Sequence, residues 1–187
     1  MEKTGCCVTI IGPMYAGKTT TLINISRDCK KKGQLVLGFK PKKDDRYGLD
    51  SNFHSHDGDV ESCILIENTD EILIDANYND ANVIIIEEAH FFDENIVTNI
   101  ERMIDDGKYI ICSGLSGSYK RRTIGSIANI IALSSTITQL YAKCELCTET
   151  TLAPFTSKIS GEHGTDIEVG GKNTYIPVCE KHFNQYD

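Results

Sequence analysis

The sequence predicts an α/β fold, a parallel sheet flanked by helices and followed by a small C-terminal unit. Three observations carry that reading. Short β-rich runs alternate with segments of helical period through the first three quarters of the chain. Val83-Ile84-Ile85-Ile86 is apolar on both faces, as a parallel strand covered from both sides must be. After about residue 143 the rhythm stops, and glycines and two cysteine-bearing clusters replace it. The expected division is therefore 1–142 for the α/β unit and 143–187 for the appended one.

Strands are expected at Val8–Ile11, Leu35–Phe39, Cys63–Ile66, Val83–Glu87, Tyr109–Ser113 and Gln139–Ala142. Thr19–Lys32 reads as a helix stopped by Gly33, with Lys30, Lys31 and Lys32 suiting the negative end of its dipole. Thr69–Tyr78 starts on a cap residue followed by Asp70 and Glu71, so a second helix is expected there. The stripe Ile96, Val97, Ile100, Met103 and Ile104 predicts a third, ended by Gly107. Lys40–Asp59 is a long polar stretch, and connections of that length usually carry function.

With 187 residues, 40% hydrophobic and 25% charged, the chain has an ordinary globular composition. Its net charge of −8 argues against a nucleic-acid partner, which needs a basic face. Neither a secretory leader nor a membrane span is legible, since the longest apolar run is Val83–Ile86. That pattern predicts a cytoplasmic protein without a membrane partner. In such a compartment closely spaced cysteines point to metal, whereas Cys6, Cys7, Cys29, Cys63 and Cys112 are unpaired by spacing and are expected to be small core residues.

The most specific motif is Gly12-Pro13-Met14-Tyr15-Ala16-Gly17-Lys18-Thr19, which matches G-x-x-x-x-G-K-[ST] between an apolar strand and a helix. Its glycines let main-chain N–H groups turn around phosphate oxygens, and the following helix aims its positive end at them. Lys18 is suited to the β- and γ-phosphates and the Thr19 hydroxyl to Mg²⁺. The architecture expected from it is P-loop NTPase-like, with ATP and Mg²⁺ as ligands.

A P-loop enzyme usually places an acidic residue at the end of another core strand, facing the metal. Here the strand from Val83 ends in Glu87-Glu88. Successive strand residues face opposite ways, so one carboxylate can serve the metal while the other takes a proton from an acceptor.

Cys144-x-x-Cys147 and Cys179-x-x-His182, separated by about thirty residues, supply four donors suited to tetrahedral Zn²⁺. With all four positions filled by protein, no site is left for a catalytic water, so the expected zinc is structural. Asp44, Asp45 and Arg46 read either as a solvated turn or as metal and phosphate ligands. His54, His56 and Asp57 show no ligand geometry and are read as loop. Phe91 and Phe92 are either core residues or one wall of a base pocket.

The combination of Gly12–Thr19, Glu87-Glu88-Ala89-His90-Phe91-Phe92 and the late Cys-x-x-Cys…Cys-x-x-His resembles the zinc-containing type II thymidine kinases. The resemblance runs from about Val8 to His182 and also takes in Asp44-Asp45-Arg46-Tyr47, Gly114–Gly125 and Glu168-Val169-Gly170-Gly171 before Tyr175. It implies phosphorylation of the thymidine 5′-hydroxyl by ATP with Mg²⁺, a homotetramer, and feedback inhibition by dTTP. Residue by residue, it makes Glu88 the base, gives Mg²⁺ to Thr19 and Asp44 with Glu87 at the strand end, and sets Arg46 against phosphate charge. Asp45 and His90 join the nucleotide-binding set. Met14, Phe91, Leu115, Tyr119 and Thr156 would surround the base. The segment Phe155–Tyr175 would be a lasso loop, with Asp166, Ile167, Glu168, Val169, Gly170 and Tyr175 at the nucleoside. Lys158 would be its protease-sensitive point.

The chain departs from the family pattern at several positions. Glu87 stands where Asp is usual, His90 where Gln is usual, and Tyr119 where Phe is usual. Ser116 and Ile124 replace common Asp and Phe, and Ile124 removes an aromatic wall that would sharpen nucleoside choice. Two other functions remain open at this point. One is a deoxynucleoside kinase of broader range, and the other is a P-loop ATPase whose zinc module handles nucleic acid. The second is disfavoured by the acidic composition and the lack of an aromatic-basic strand.

Overall fold

The structure, a computed structural model, describes residues 4–44, 50–55, 57–160 and 170–183. In chain order it runs β1 (Cys6–Gly12), α1 (Lys18–Lys31), β2 (Val36–Pro41), β3 (Asn52–His54), β4 (Val60–Ser62), β5 (Ile64–Ile66) and α2 (Asp70–Leu73). Then follow β6 (Val83–Ile86), a 3₁₀ turn at Ala89–Phe91, α3 (Asn95–Asp105), β7 (Tyr109–Leu115), α4 (Ile127–Leu133) and β8 (Thr136–Gln139). Six strands form one sheet in the order β5-β2-β6-β7-β1-β8, and every pairing in it is parallel.

The all-apolar run of β6 sorts itself by alternation. Val83 and Ile85 pack with Ile10, Leu22, Ile23 and Ile111 on the α1 side. Ile84 and Ile86 pack with Ile96, Ile100, Met103 and Ile110 on the opposite side. Both faces of the sheet are thus buried by helices, the condition under which a parallel sheet is stable. Its strands all point their C-terminal ends toward one edge, where the loops carrying the sequence motifs gather.

Two expectations are corrected, and one helix is added. The helix expected over Thr69–Tyr78 stops at Leu73. The carbonyls of Tyr78, Asn79 and Ala81 all accept from Lys108 Nζ at 2.7, 2.9 and 2.9 Å, so they are held in turns around a cation. The last sheet strand is Thr136–Gln139, not Gln139–Ala142, because Val8–Ile11 pairs with that earlier, polar stretch at the sheet's edge. Helix α4 has no counterpart in the sequence reading.

A hairpin of β3 and β4 lies over α1. Arg27 Nη1 reaches Asp59 at 2.9 Å, Ser26 Oγ reaches Glu61 at 3.2 Å, and Lys30 pairs with Glu61. Phe53 packs against β2 at Gly38, where a β-carbon would sit 2.7 Å from the ring. Only glycine admits that approach, and it brings β3 up to the C-terminal end of β2.

The C-terminal part adds β9 (Ala142–Lys143) paired with β10 (Leu152–Ala153), β11 (Phe155–Lys158) paired with β12 (Tyr175–Val178), and α5 (Glu180–Phe183). Its own apolar cluster is small: Ala142, Ala153, Val178 and Phe183 with Cys144 and Cys179. Arg121, at φ 55°, fastens the preceding loop to this part. Its guanidinium lies 3.8 Å from the Phe155 ring centroid and 4.6 Å from that of Phe183, and it pairs with Glu180 at 2.5 Å.

Candidate active site

Between β1 and α1 the chain turns through Tyr15 at φ 66° and Gly17 at φ 82°, directing main-chain N–H groups inward. Lys18 is buried and its ammonium donates to Pro13 O at 2.9 Å and Gly12 O at 3.4 Å. The Thr19 hydroxyl donates to Glu87 Oε1. That contact joins the first turn of α1 to the end of β6 and puts two expected metal ligands side by side.

The strand expected to reach Glu87 ends at Ile86, so Glu87 and Glu88 lie in the turn that follows it and both line one cavity. Glu87 N continues the ladder to Phe39 O at 2.9 Å. Glu88 then adopts φ 48° and ψ 44°, a left-handed conformation that a glutamate enters only at a cost of roughly 1–3 kcal/mol. Strain of this kind gathers at working sites, and here it starts the tight turn that keeps both carboxylates on one cavity. The cavity, about 140 Å³, is lined by the P-loop from Met14 through Thr20 and by Lys40, Asp44, His54, Asp57, Glu87 and Glu88.

His90 lies behind this wall. It is 2% exposed and does not line the cavity. Its Nδ1 is 3.5 Å from Glu88 Oε2 and accepts from Leu115 N at 3.4 Å. Its chemistry therefore reaches the cavity through Glu88. Phe91 is half-buried with its ring centroid 4.4 Å from that of His90, and Lys43 Nζ stands 5.8 Å from it.

Beside the cavity, Met14, Tyr119 and Tyr175 form a separate apolar cluster with Leu115 packed against it. The Tyr119 and Tyr175 rings are 6.2 Å apart, tilted by 44°. Thr156 is buried, and its hydroxyl accepts from Met14 N at 3.0 Å. Leu115, Tyr119, Thr156 and Tyr175 thus converge on Met14, at one flank of the P-loop. Gly170 lies against Tyr175 so closely that a β-carbon would be 2.8 Å from the ring. Lys158 is corrected as an exposed point: it is 6% exposed in β11, with its ammonium 5.4 Å from the Tyr119 ring centroid. Asp45, Arg46, Asp166, Ile167, Glu168 and Val169 fall outside the described residues.

The four candidate zinc ligands converge. Cys144 Sγ and His182 Nδ1 are 3.4 Å apart, and Cys147 and Cys179 each lie 3.5 Å from that nitrogen. Cys147 Sγ and Cys179 Sγ are 3.8 Å apart. A tetrahedral Zn²⁺ with ordinary bond lengths needs edges of about 3.8 Å between sulfurs and about 3.5 Å from sulfur to nitrogen. The donor set fits the ion in both kind and spacing. Cys179 N also donates to Cys144 Sγ at 3.3 Å. Burial raises the Cys144 thiol, but that main-chain donor and His182 outweigh it and bring it down to about 6, which favours the thiolate a metal requires.

Sequence reasoning missed Lys40, His54 and Asp57 as cavity residues. His54 and Asp57 were in view as loop, and Lys40 was passed over because its role depends on where the β3–β4 hairpin folds.

Comparison with known proteins follows the same outline. The family model described as thymidine kinase matches residues 5–183. A thymidine kinase of Oryza sativa is 38% identical over 93% of this chain, which spans 64% of that relative's length. Thymidine kinase a of Arabidopsis thaliana is 36% identical, covering 96% of this chain and 75% of its own. A thymidine kinase of Pseudothermotoga lettingae is 30% identical over 97% of this chain and 96% of its own. With a family match that spans nearly the whole sequence, the chain belongs to the thymidine kinase family.

Proposed function

We propose that this protein transfers the γ-phosphoryl group of ATP to the 5′-hydroxyl of thymidine, giving dTMP. The observation that carries the reading is the shared wall. Glu88 and the P-loop line one cavity, and the Met14–Tyr119–Tyr175 cluster adjoins it through Met14. An acceptor seated on that cluster has its hydroxyl within reach of a base and of the terminal phosphate together.

Glu88 takes the 5′-hydroxyl proton as the oxygen attacks phosphorus. The P-loop amides and Lys18 hold the donor's phosphates in line and carry charge as it shifts toward the leaving oxygen. Thr19, Glu87 and Asp44 are the side chains suited to Mg²⁺, with Asp45 and Arg46 assigned to the phosphates by family resemblance. When bound, Mg²⁺ neutralises and orients the β- and γ-phosphate oxygens. Met14, Phe91, Leu115, Tyr119 and Thr156 are assigned to the base, and residues 166–170 with Tyr175 to a covering segment. The close fit of Gly170 on Tyr175 supports that segment's being packed down at its C-terminal root.

Zinc is assigned a structural role, tying β9 and β12 together at the foot of a unit comprising 143–187. A homotetramer, inhibition by dTTP and a cytoplasmic location complete the reading from the family. No helix among the described residues is long and apolar enough to cross a membrane. The deciding experiment is nucleoside-dependent ADP release. Turnover with thymidine, and little with uridine, deoxycytidine or single-stranded DNA, supports the assignment. Comparable turnover with deoxycytidine replaces it with a broader deoxynucleoside kinase, and turnover only with DNA overturns it.

A further inference from the structure

Lys40 is a cavity residue to which the phosphotransfer scheme gives no role. Its side chain is 4% exposed, an unusual condition for an ammonium. It is not placed there by packing alone. Nζ donates to Asn52 O at 2.7 Å and meets Asp50 Oδ1 at 3.4 Å. Asp50 in turn binds His54 Nε2 at 2.5 Å and Asn52 Nδ2 at 3.2 Å. The hydrogen bond from His54 brings the Asp50 carboxyl down to about 2, so it is ionised at any working pH. The whole bracket comes from the β3–β4 side and grips the lysine at the end of β2.

Register fixes which way Lys40 faces. Phe39 pairs with Ile86 across β2 and β6, and Glu87 N donates to Phe39 O. Phe39 and Ile86 both belong to the core on the α3 side. The residue after each, Lys40 and Glu87, therefore turns to the other face, toward α1 and the P-loop. Charge makes the position consequential. Among the described residues, the cavity lining carries four carboxylates, Asp44, Asp57, Glu87 and Glu88, against Lys18 and Lys40, with His54 as a further basic group. A nucleoside triphosphate adds several more negative charges. With Lys40 neutralised, Lys18 would be the one lysine among the described lining residues facing those four carboxylates and the incoming phosphates.

We propose that Lys40 is a positioning residue for the phosphate donor: its bracketed ammonium, beside Glu87, offsets the carboxylate field so that a nucleoside triphosphate can enter. This rests on the phosphotransferase reading above. The bracket holds the charge in place without drawing it out of the cavity, since Asn52 contributes a neutral carbonyl and Asp50 stands at the longer distance. Charge in a confined, poorly solvated cavity is screened less than charge on a surface, so its loss is felt strongly.

The test is equilibrium binding of a fluorescent ATP analogue, with Mg²⁺ and separately in EDTA, and of thymidine. It is run on wild type and on Lys40→Gln, Lys40→Met and Lys40→Arg. Glutamine keeps an N–H for Asn52 O but drops the charge, while arginine keeps the charge. The expected result is ATP affinity weakened ~10–100-fold in the Gln and Met variants under both conditions, restored to within ~3-fold by Arg, with thymidine affinity unchanged. The ionic-strength dependence of ATP binding should also flatten in Lys40→Gln. Zinc content and a cooperative melt identify folded protein, and should the Met variant not fold, Lys40→Gln decides. A folded Lys40→Gln that binds ATP within ~2-fold of wild type, or that loses thymidine affinity equally, overturns the proposal. Wild type that binds no ATP would overturn the phosphotransferase reading instead.

Discussion

The main-chain N–H of Met14 in the P-loop donates to the hydroxyl of Thr156, 3.0 Å away across 142 positions of sequence. One bond thus ties the phosphate cradle to the C-terminal unit, at a point buried from water. Thr156→Val keeps the shape and removes the acceptor, leaving a buried N–H without its partner. The expected loss is about 1–3 kcal/mol, read as a melting temperature lower by roughly 2–10 °C. An unchanged melt would mean that Met14 finds another acceptor.

Glu88→Gln preserves size and polarity in the left-handed turn while removing the base. Turnover is expected to fall by ~10²–10⁴ with ATP affinity little changed. Retention of more than about a third of wild-type kcat would take the proton-acceptor role away from Glu88.

Zinc analysis should give one ion per chain, held by Cys144, Cys147, Cys179 and His182. Cys179→Ser removes one of the four donors while keeping the main-chain N–H that reaches Cys144 Sγ. The variant is expected to lose the metal and to expose the C-terminal part to protease, because the apolar cluster there is small. Stoichiometric zinc in purified Cys179→Ser would contradict the site.

Lys108 is buried against three carbonyls and the Tyr78 ring, whose centroid is 4.8 Å from Nζ. Lys108→Met leaves those oxygens unsatisfied and should cost about 3–5 kcal/mol in urea denaturation. The site lies elsewhere, so kcat of the folded fraction should be that of wild type. A loss below about 1 kcal/mol would show that water substitutes freely for the ammonium.

The Asp50 carboxyl, lowered from 3.8 to about 2 chiefly by its hydrogen bond with His54, gives a pH prediction. A depressed carboxyl stabilises the fold above its unfolded value and stops doing so as pH falls through its folded value. Asp50→Asn should therefore melt below wild type at pH 5, with the gap closing between about pH 4 and pH 2. A gap constant down to pH 2 would assign the effect to packing.

Much of this site was readable before the fold, and for a common reason. Gly12–Thr19, Glu87-Glu88 and the two cysteine-bearing pairs are contiguous patterns whose spacing is itself the geometry. Lys40, His54 and Asp57 were not readable, because nothing local says that a hairpin will turn back over α1 and bring His54 and Asp57 to the cavity, or that Phe53 will settle on Gly38. Helix α2 was overestimated for the same reason: the cation that claims the carbonyls of Tyr78, Asn79 and Ala81 comes from residue 108. Strand β8 was displaced because an edge strand need not be apolar, and all four of its residues are exposed.

The convergence of β9, β12 and α5 on one set of metal donors has a thermodynamic corollary. Tyr175 opens β12 and Cys179 follows its end, so one strand joins the proposed nucleoside flank at one end to the four candidate zinc donors at the other. Two ligands bound through one element bias the same order–disorder equilibrium, and their influences are reciprocal. Whatever factor zinc contributes to thymidine affinity, thymidine must return to zinc affinity. A chelator should therefore strip the ion more slowly and at higher concentration from nucleoside-saturated protein, making substrate supply a guard on metal content.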